Sequence, residues 1–197
     1  VSKHQGTLFI ISGPSGVGKT TVVTQFLQQY HNLYKVSRVV TYTTRLPRVG
    51  DVDGIDYHFI TQHEFERKVA DEFFLEWSGE YGACYGTPAH VLHELTSGES
   101  KLLVIDRIGA EQIIKKYKHA VLIWIEVSDV SVLFDRLMKR NTEVSEQVQL
   151  RLLLAAKEIE QERVAPMYHY KIENDELNAS VKGFFEIIAP RCQLRQD

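Results

Sequence analysis

The 197-residue chain reads as an α/β protein. The pattern is a parallel β-sheet core flanked by helices, with an inserted small mixed sheet and a helical lid. Three observations predict this. Short apolar runs alternate with amphipathic helical stretches, as strands do when helical crossovers join them in parallel. The stretch 36–87 breaks the rhythm with closely spaced strand signals around polar turns such as Arg48–Gly54. The polar segment near Arg140–Ser145 separates two helical patterns and reads as a mobile cap.

The elements follow in order. Leu8–Ser12 is an apolar run ahead of Gly13-Pro14, the mark of a buried strand. Val17–Tyr30 is a helix with Val22, Val23, Phe26 and Leu27 apolar. Val36–Thr44 is rich in β-branched residues and reads as one strand. Thr61–Glu64 matches a capping box, after which Phe65, Val69 and Phe73 recur every fourth residue, so a helix begins there. Leu102–Ile105 and Val121–Val127 are buried-type strands. Ser131–Lys139, Glu143–Gln161 and Ala179–Ile188 read as helices. The division is a core of about 1–35, 88–139 and 156–197, an insertion of about 36–87 and a lid of about 140–155.

Composition narrows the function classes. Hydrophobic residues make up 44% and charged residues 25%, the balance of a globule rather than a disordered chain. No apolar run approaches the ~20 residues of a membrane span, and Leu8–Ile11 is too short for the core of a signal peptide. Cys84 and Cys192 form neither a disulfide framework nor a metal knuckle, and the histidines lack ligand spacing. A reducing cytoplasm, with no membrane and no nucleic-acid partner, is the expectation. With a net charge of −3, a protein that binds phosphates must place its cations locally.

Gly13-Pro14-Ser15-Gly16-Val17-Gly18-Lys19-Thr20 matches G-x-x-x-x-G-K-[ST] between a predicted strand and a predicted helix. Glycines let successive N–H groups face one anion, and the helix N-terminus adds partial positive charge. Lys19 reaches toward β- and γ-phosphates, and the Thr20 hydroxyl, followed by Thr21, suits Mg²⁺. The loop implies nucleoside triphosphate binding. It does not name a second substrate, because GTPases, ATPases and small-molecule kinases share it.

The insertion is more specific. Thr43-Thr44-Arg45-Leu46-Pro47-Arg48 precedes Gly50 and Asp53-Gly54-Ile55-Asp56-Tyr57-His58-Phe59. Phe74-Leu75-Glu76-Trp77 and Tyr85-Gly86-Thr87 follow. With the phosphate loop, this series resembles the guanylate kinase family in order and near spacing from about Leu8 to about Leu177. The resemblance implies ATP and GMP as substrates, Mg²⁺ with the ATP, and a monomer or homodimer.

The residue types make chemical sense beside the resemblance. Arg45 and Arg48 flank a stiffening proline, and two such forks repel unless an anion lies between them. A phosphate monoester is a fitting anion. The resemblance assigns Arg45, Arg48, Tyr57 and Tyr85 to the GMP phosphate. Glu76 lies in an otherwise apolar run, where an unpaired carboxylate is costly. Guanine offers adjacent N1–H and N2 donors that a carboxylate accepts together, whereas adenine does not. By resemblance Thr41 and Thr87, often serines in the family, help read guanine.

Asp106 ends an apolar strand, as Mg²⁺-shell acids do in such proteins. The family usually carries a further Asp two residues earlier and a Gln before the glycine. Here Val104 and Ile108 stand in those places, with Gly109 kept. Asp106 serves either an Mg²⁺ water or the guanine amine, and the strand alone does not choose. Arg136 and Arg140 are one helical turn apart and, with Arg151, match the family's lid arginines, which clamp the triphosphate and the transferring group. Asn174 matches a position near adenine. Lys19, Arg45, Arg136 and Arg151 are the residues expected to neutralise the transferring phosphoryl group. Two alternatives stand beside this reading: a non-catalytic guanylate-kinase-like interaction module, and a kinase of another phosphorylated small molecule.

Overall fold

The computed structural model describes residues 5–80, 82–133, 136 and 145–195. Five parallel strands form the core: β1 (Leu8–Ser12), β2 (Val36–Arg38), β7 (Ser100–Val104), β8 (Val121–Glu126) and β9 (Tyr170–Glu173), ordered β2-β7-β1-β8-β9. Every residue of β1 is buried because the strand is central and covered on both faces. Its alternation sorts side chains between two cores. Phe9 and Ile11 pack with α1 (Lys19–Tyr30) and α6 (Leu177–Ile188), where Phe26 meets Phe184 edge-on at 5.2 Å. Leu8 and Ile10 pack on the other side with Val91 of α3 (Val91–Glu94) and with Ala110 and Ile113 of α4 (Arg107–Lys116).

The second sheet is mixed, as expected: β3 (Tyr42–Thr43), β4 (His58–Phe59), β5 (Phe74–Glu80) and β6 (Ala83–Pro88), ordered β4-β3-β6-β5. The stretch 36–44 is not one strand. Its first part pairs with β7 in the core and its second with β6 in the small sheet, so the chain changes sheets between Arg38 and Tyr42. β-Branched content marks both halves as extended but cannot show that their partners differ.

The capping box is formed: the Glu64 N–H donates to Thr61 Oγ1 at 3.2 Å, and the Thr61 N–H donates to Glu64 Oε2 at 2.8 Å. The helix it opens, α2 (Gln62–Ala70), buries Phe65 against Phe74, with ring centroids 4.7 Å apart. It ends at Ala70, ahead of Glu72, which adopts φ 51° and leaves Phe73 outside the helix. Helix α5 spans Ser145–Val164. Sequence patterning did not single out β9, α3 or α4. Of the predicted helix Ser131–Lys139, residues 131–133 and 136 are helical and the others lie outside the described residues.

Candidate active site

Along one edge of the core the phosphate loop follows β1. Gly13 takes φ 150° and a Cβ there would lie 2.1 Å from the Ile125 carbonyl oxygen, so the backbone passes too close to β8 for any side chain. Lys19 Nζ donates to the Gly13 carbonyl at 2.5 Å and to that of Pro14 at 3.2 Å. Asn174 holds the loop from β9's side: its amide donates to the Val17 carbonyl at 2.7 Å, and the residue is buried. Arg136 donates to the carbonyls of Val17, at 3.2 Å, and Asn174, at 2.9 Å. The Asn174 side chain therefore braces the loop in this structure instead of facing open space for a base.

A single cavity of about 380 Å³ runs from this loop into the insertion. Ser15, Lys19, Thr20 and Thr21 of the loop line it together with Thr41, Arg45, Arg48, Tyr57, Glu76, Tyr85, Val104 and Asp106. The structure thus joins residues that the sequence spreads over more than 90 positions. Arg140 lies outside the described residues, as does the side chain of Arg151, whose backbone is in α5.

Antiparallel pairing explains the Glu76 corner. Glu76 pairs with Thr87, and a register shift between Phe74 and Glu76 sends Leu75 into the core while Glu76 and Ser78 face the cavity. Thr87 Oγ1 donates to Glu76 Oε1 at 2.5 Å. Burial raises the Glu76 carboxyl to about 7, with Asp106 adding to the rise and Thr87 and Lys116 opposing it. Gly109 is needed here for space: a Cβ would lie 2.6 Å from Glu76 Oε2. Asp106 caps α4 by accepting the Gly109 N–H at 2.7 Å, and its other oxygen accepts from Ser78 Oγ at 2.8 Å. Its capping role and its place in the cavity therefore coexist.

At the other corner the expected anion between the arginines is partly supplied from within. Asp51 Oδ2 accepts from Arg45 Nη2 and from the Arg48 N–H, each at 2.8 Å. Burial pushes the Asp51 carboxyl up, but those bonds and the two arginine charges bring it below the usual range. The Arg45 guanidinium lies 5.4 Å from the Tyr57 ring centroid and 5.5 Å from that of Phe59. Cys84, on the opposite face of β6 from Tyr85 and Thr87, places its sulfur 3.8 Å from Gln62 Oε1 and does not line the cavity.

Several cavity or supporting residues escaped the sequence reading, Asp51 among them. Ser78 is legible as the next same-face position after Glu76 once β5 is known. Arg38 and Glu158 line the cavity from β2 and α5, and no local motif marks either. Arg107 is buried against Glu162, Nη1 to Oε2 2.5 Å, and donates to the Ala165 carbonyl at 2.7 Å, tying the start of α4 to the end of α5.

Comparison with known proteins agrees with this geometry. The guanylate kinase family model matches residues 5–190. A guanylate kinase of Carboxydothermus hydrogenoformans is 38% identical over 187 residues, covering 94% of this chain and 88% of that protein. One from Gloeobacter violaceus is 40% identical over 177 residues, covering 89% and 83%. The crystal structure of guanylate kinase from Anaplasma phagocytophilum superposes with a TM-score of 0.77 at 28% identity, covering 96% of this chain and 88% of that one. With its phosphate loop, its mixed-sheet insertion and this match over nearly all its length, the chain belongs to the guanylate kinase family.

Proposed function

We infer that the protein transfers the γ-phosphoryl group of ATP to the phosphate of GMP, yielding ADP and GDP. One observation carries this: one cavity is lined both by the phosphate-loop lysine and by an arginine, tyrosine and glutamate set of the insertion. Glu76 accepts guanine's N1–H and N2 donors, with Thr87 orienting the carboxylate and Thr41 adding a hydroxyl. Arg45, Arg48, Tyr57 and Tyr85 hold the acceptor phosphate. Gly13–Thr21 wrap the triphosphate, and Asn174 and Arg136 brace that wrapping from below. The attacking oxygen of GMP is already anionic, so no general base is required, and catalysis is positioning plus charge neutralisation by Lys19, Arg45 and Arg151, joined by Arg136 once it leaves the Val17 and Asn174 carbonyls it holds here.

ATP is taken with Mg²⁺, and the donor set fits the ion. The Thr20 hydroxyl and the Asp106 carboxylate line the same cavity, and Mg²⁺ keeps several waters and needs only one or two protein oxygens beside substrate phosphates. When bound, the ion supplies charge neutralisation at the β- and γ-phosphates. Thr20 and Asp106 would hold it, Asp106 through water, since its two oxygens already accept from Gly109 and Ser78. No helix of the described residues is long and apolar enough to cross a membrane, and the cytoplasm, where both nucleotides are abundant, is the setting we propose.

The test is an acceptor panel with Mg·ATP, read by ADP release. GMP is used, IMP (which lacks the N2 amine) is a weak acceptor, and AMP is not used. Glu76→Gln turns an acceptor into a donor against guanine's own donors. It lowers kcat/KM for GMP by roughly a hundredfold or more, with the KM for ATP held within about twofold. Comparable use of AMP and GMP, or a Glu76→Gln enzyme with full GMP turnover, refutes the reading.

A further inference from the structure

Arg38 sits in β2 of the core sheet, in register with Leu102, between the buried Val36 and Val39. A guanidinium in such a setting needs partners. The partners present are incomplete. Nη2 donates to the Asp56 backbone carbonyl at 3.0 Å. The Asp56 carboxylate is no closer than 3.9 Å to Nη1. Nε is buried and has no acceptor among the described residues. The side chain is 14% exposed, and what is exposed lines the cavity with Arg45, Arg48 and Tyr57. An arginine fork carries five donors, so this one has donor capacity to spare on the cavity side.

Charge at this corner points the same way. Arg38, Arg45 and Arg48 line the cavity with Asp51 and Asp56, three guanidiniums to two carboxylates among these five residues. Each of the three arginines also acts to lower the pKa of the Tyr57 hydroxyl, against the burial and the Tyr85 neighbour that raise it. An anion beside that hydroxyl is therefore within reach of all three fields.

We propose that Arg38 is a third guanidinium of the acceptor-phosphate site, reaching across from the core sheet to bind the phosphate of GMP beside Arg45 and Arg48. This rests on the acceptor reading above and adds a residue outside the set that the family resemblance assigns. Because Arg38 also holds the peptide before Tyr57, it couples the core strand to the tyrosine that shares the phosphate.

Equilibrium binding of GMP and of guanosine to wild type, Arg38→Met and Arg38→Lys decides the matter. Methionine keeps much of the stem and removes the charge. Arg38→Met weakens GMP about ten- to a hundredfold, the range for a charge-assisted hydrogen bond. Guanosine, which has no phosphate, binds as to wild type. Inorganic phosphate also competes less well with GMP in the variant. Arg38→Lys recovers part of the GMP affinity, since it keeps the charge but not the fork. Equal weakening of GMP and guanosine means that Arg38 only supports the fold, and no weakening of either means that it does not touch the phosphate; either result overturns the proposal. Should Arg38→Met not fold, Arg38→Lys must show the smaller, GMP-only loss, or the proposal fails. Wild-type protein that binds neither ligand overturns the acceptor reading as well, whereas failure in the variants alone leaves that reading standing.

Discussion

Glu76 is a carboxylate enclosed by Thr87, Asp106 and the backbone of Gly109, and its burial holds it near pH 7. The folded protein therefore carries a proton on Glu76 between about pH 4.5 and 7 that the unfolded chain has lost. This group's contribution to the stability of the ligand-free protein is largest at low pH and declines as pH rises through that window. On the proposed assignment guanine's donors bond to the ionised form, so GMP binding is expected to expel the proton. At pH 6.5 titration calorimetry in two buffers of different ionisation heat gives different GMP enthalpies, and affinity declines as pH falls below about 7. Enthalpies independent of the buffer contradict the assignment. Gly109 makes a second prediction at this scale. In Gly109→Ala the added methyl meets the Glu76 carboxylate, so kcat/KM for GMP falls about tenfold or more while ATP binding is kept. An alanine enzyme with wild-type GMP kinetics would show that the carboxylate has room to move.

At the scale of elements, the capped helix α2 is independent of the phosphate loop yet presses Phe65 onto the strand that carries Glu76. Removing its cap in Thr61→Ala costs about 1 kcal/mol and lowers Tm by about 2–4 °C, readable by circular dichroism. An unchanged Tm would mean that the capping box contributes nothing. The cap was legible because it depends on four consecutive residues. The end of α2 was not: the every-fourth apolar pattern continues to Phe73, but the left-handed turn at Glu72 takes Phe73 out of the helix, where its ring packs on Tyr42 at 5.2 Å. The split of 36–44 is of the same kind, since identical β-branched chemistry serves two sheets.

For the molecule as a whole, the cavity joins the phosphate loop of the core to the arginines, tyrosines and glutamate of the insertion, the parts proposed to hold donor and acceptor. Bringing two polyanions together is unfavourable in water, so the chemistry calls for closure that excludes solvent and supplies cations. Small-angle scattering with GMP plus a non-hydrolysable ATP analogue shows a smaller radius of gyration than either ligand alone. No compaction with both ligands would count against closure. Arg107 and Glu162 form the buried joint between α4 and α5, so closure is expected to pivot without breaking it.

The sequence by itself determined the phosphate loop, the alternation of strands and helices, and the residue kit of the insertion. Each depends on spacing within a few positions, which local backbone geometry converts directly into structure. Only the tertiary structure decided that Arg38 lines one cavity with Arg45 and Arg48, that Asp51 already occupies Arg45, and that Asn174 braces the Val17 carbonyl across 157 positions. Such contacts are chosen by how the sheets pack and which loops then meet, and short-range patterns along the chain carry no information about that choice.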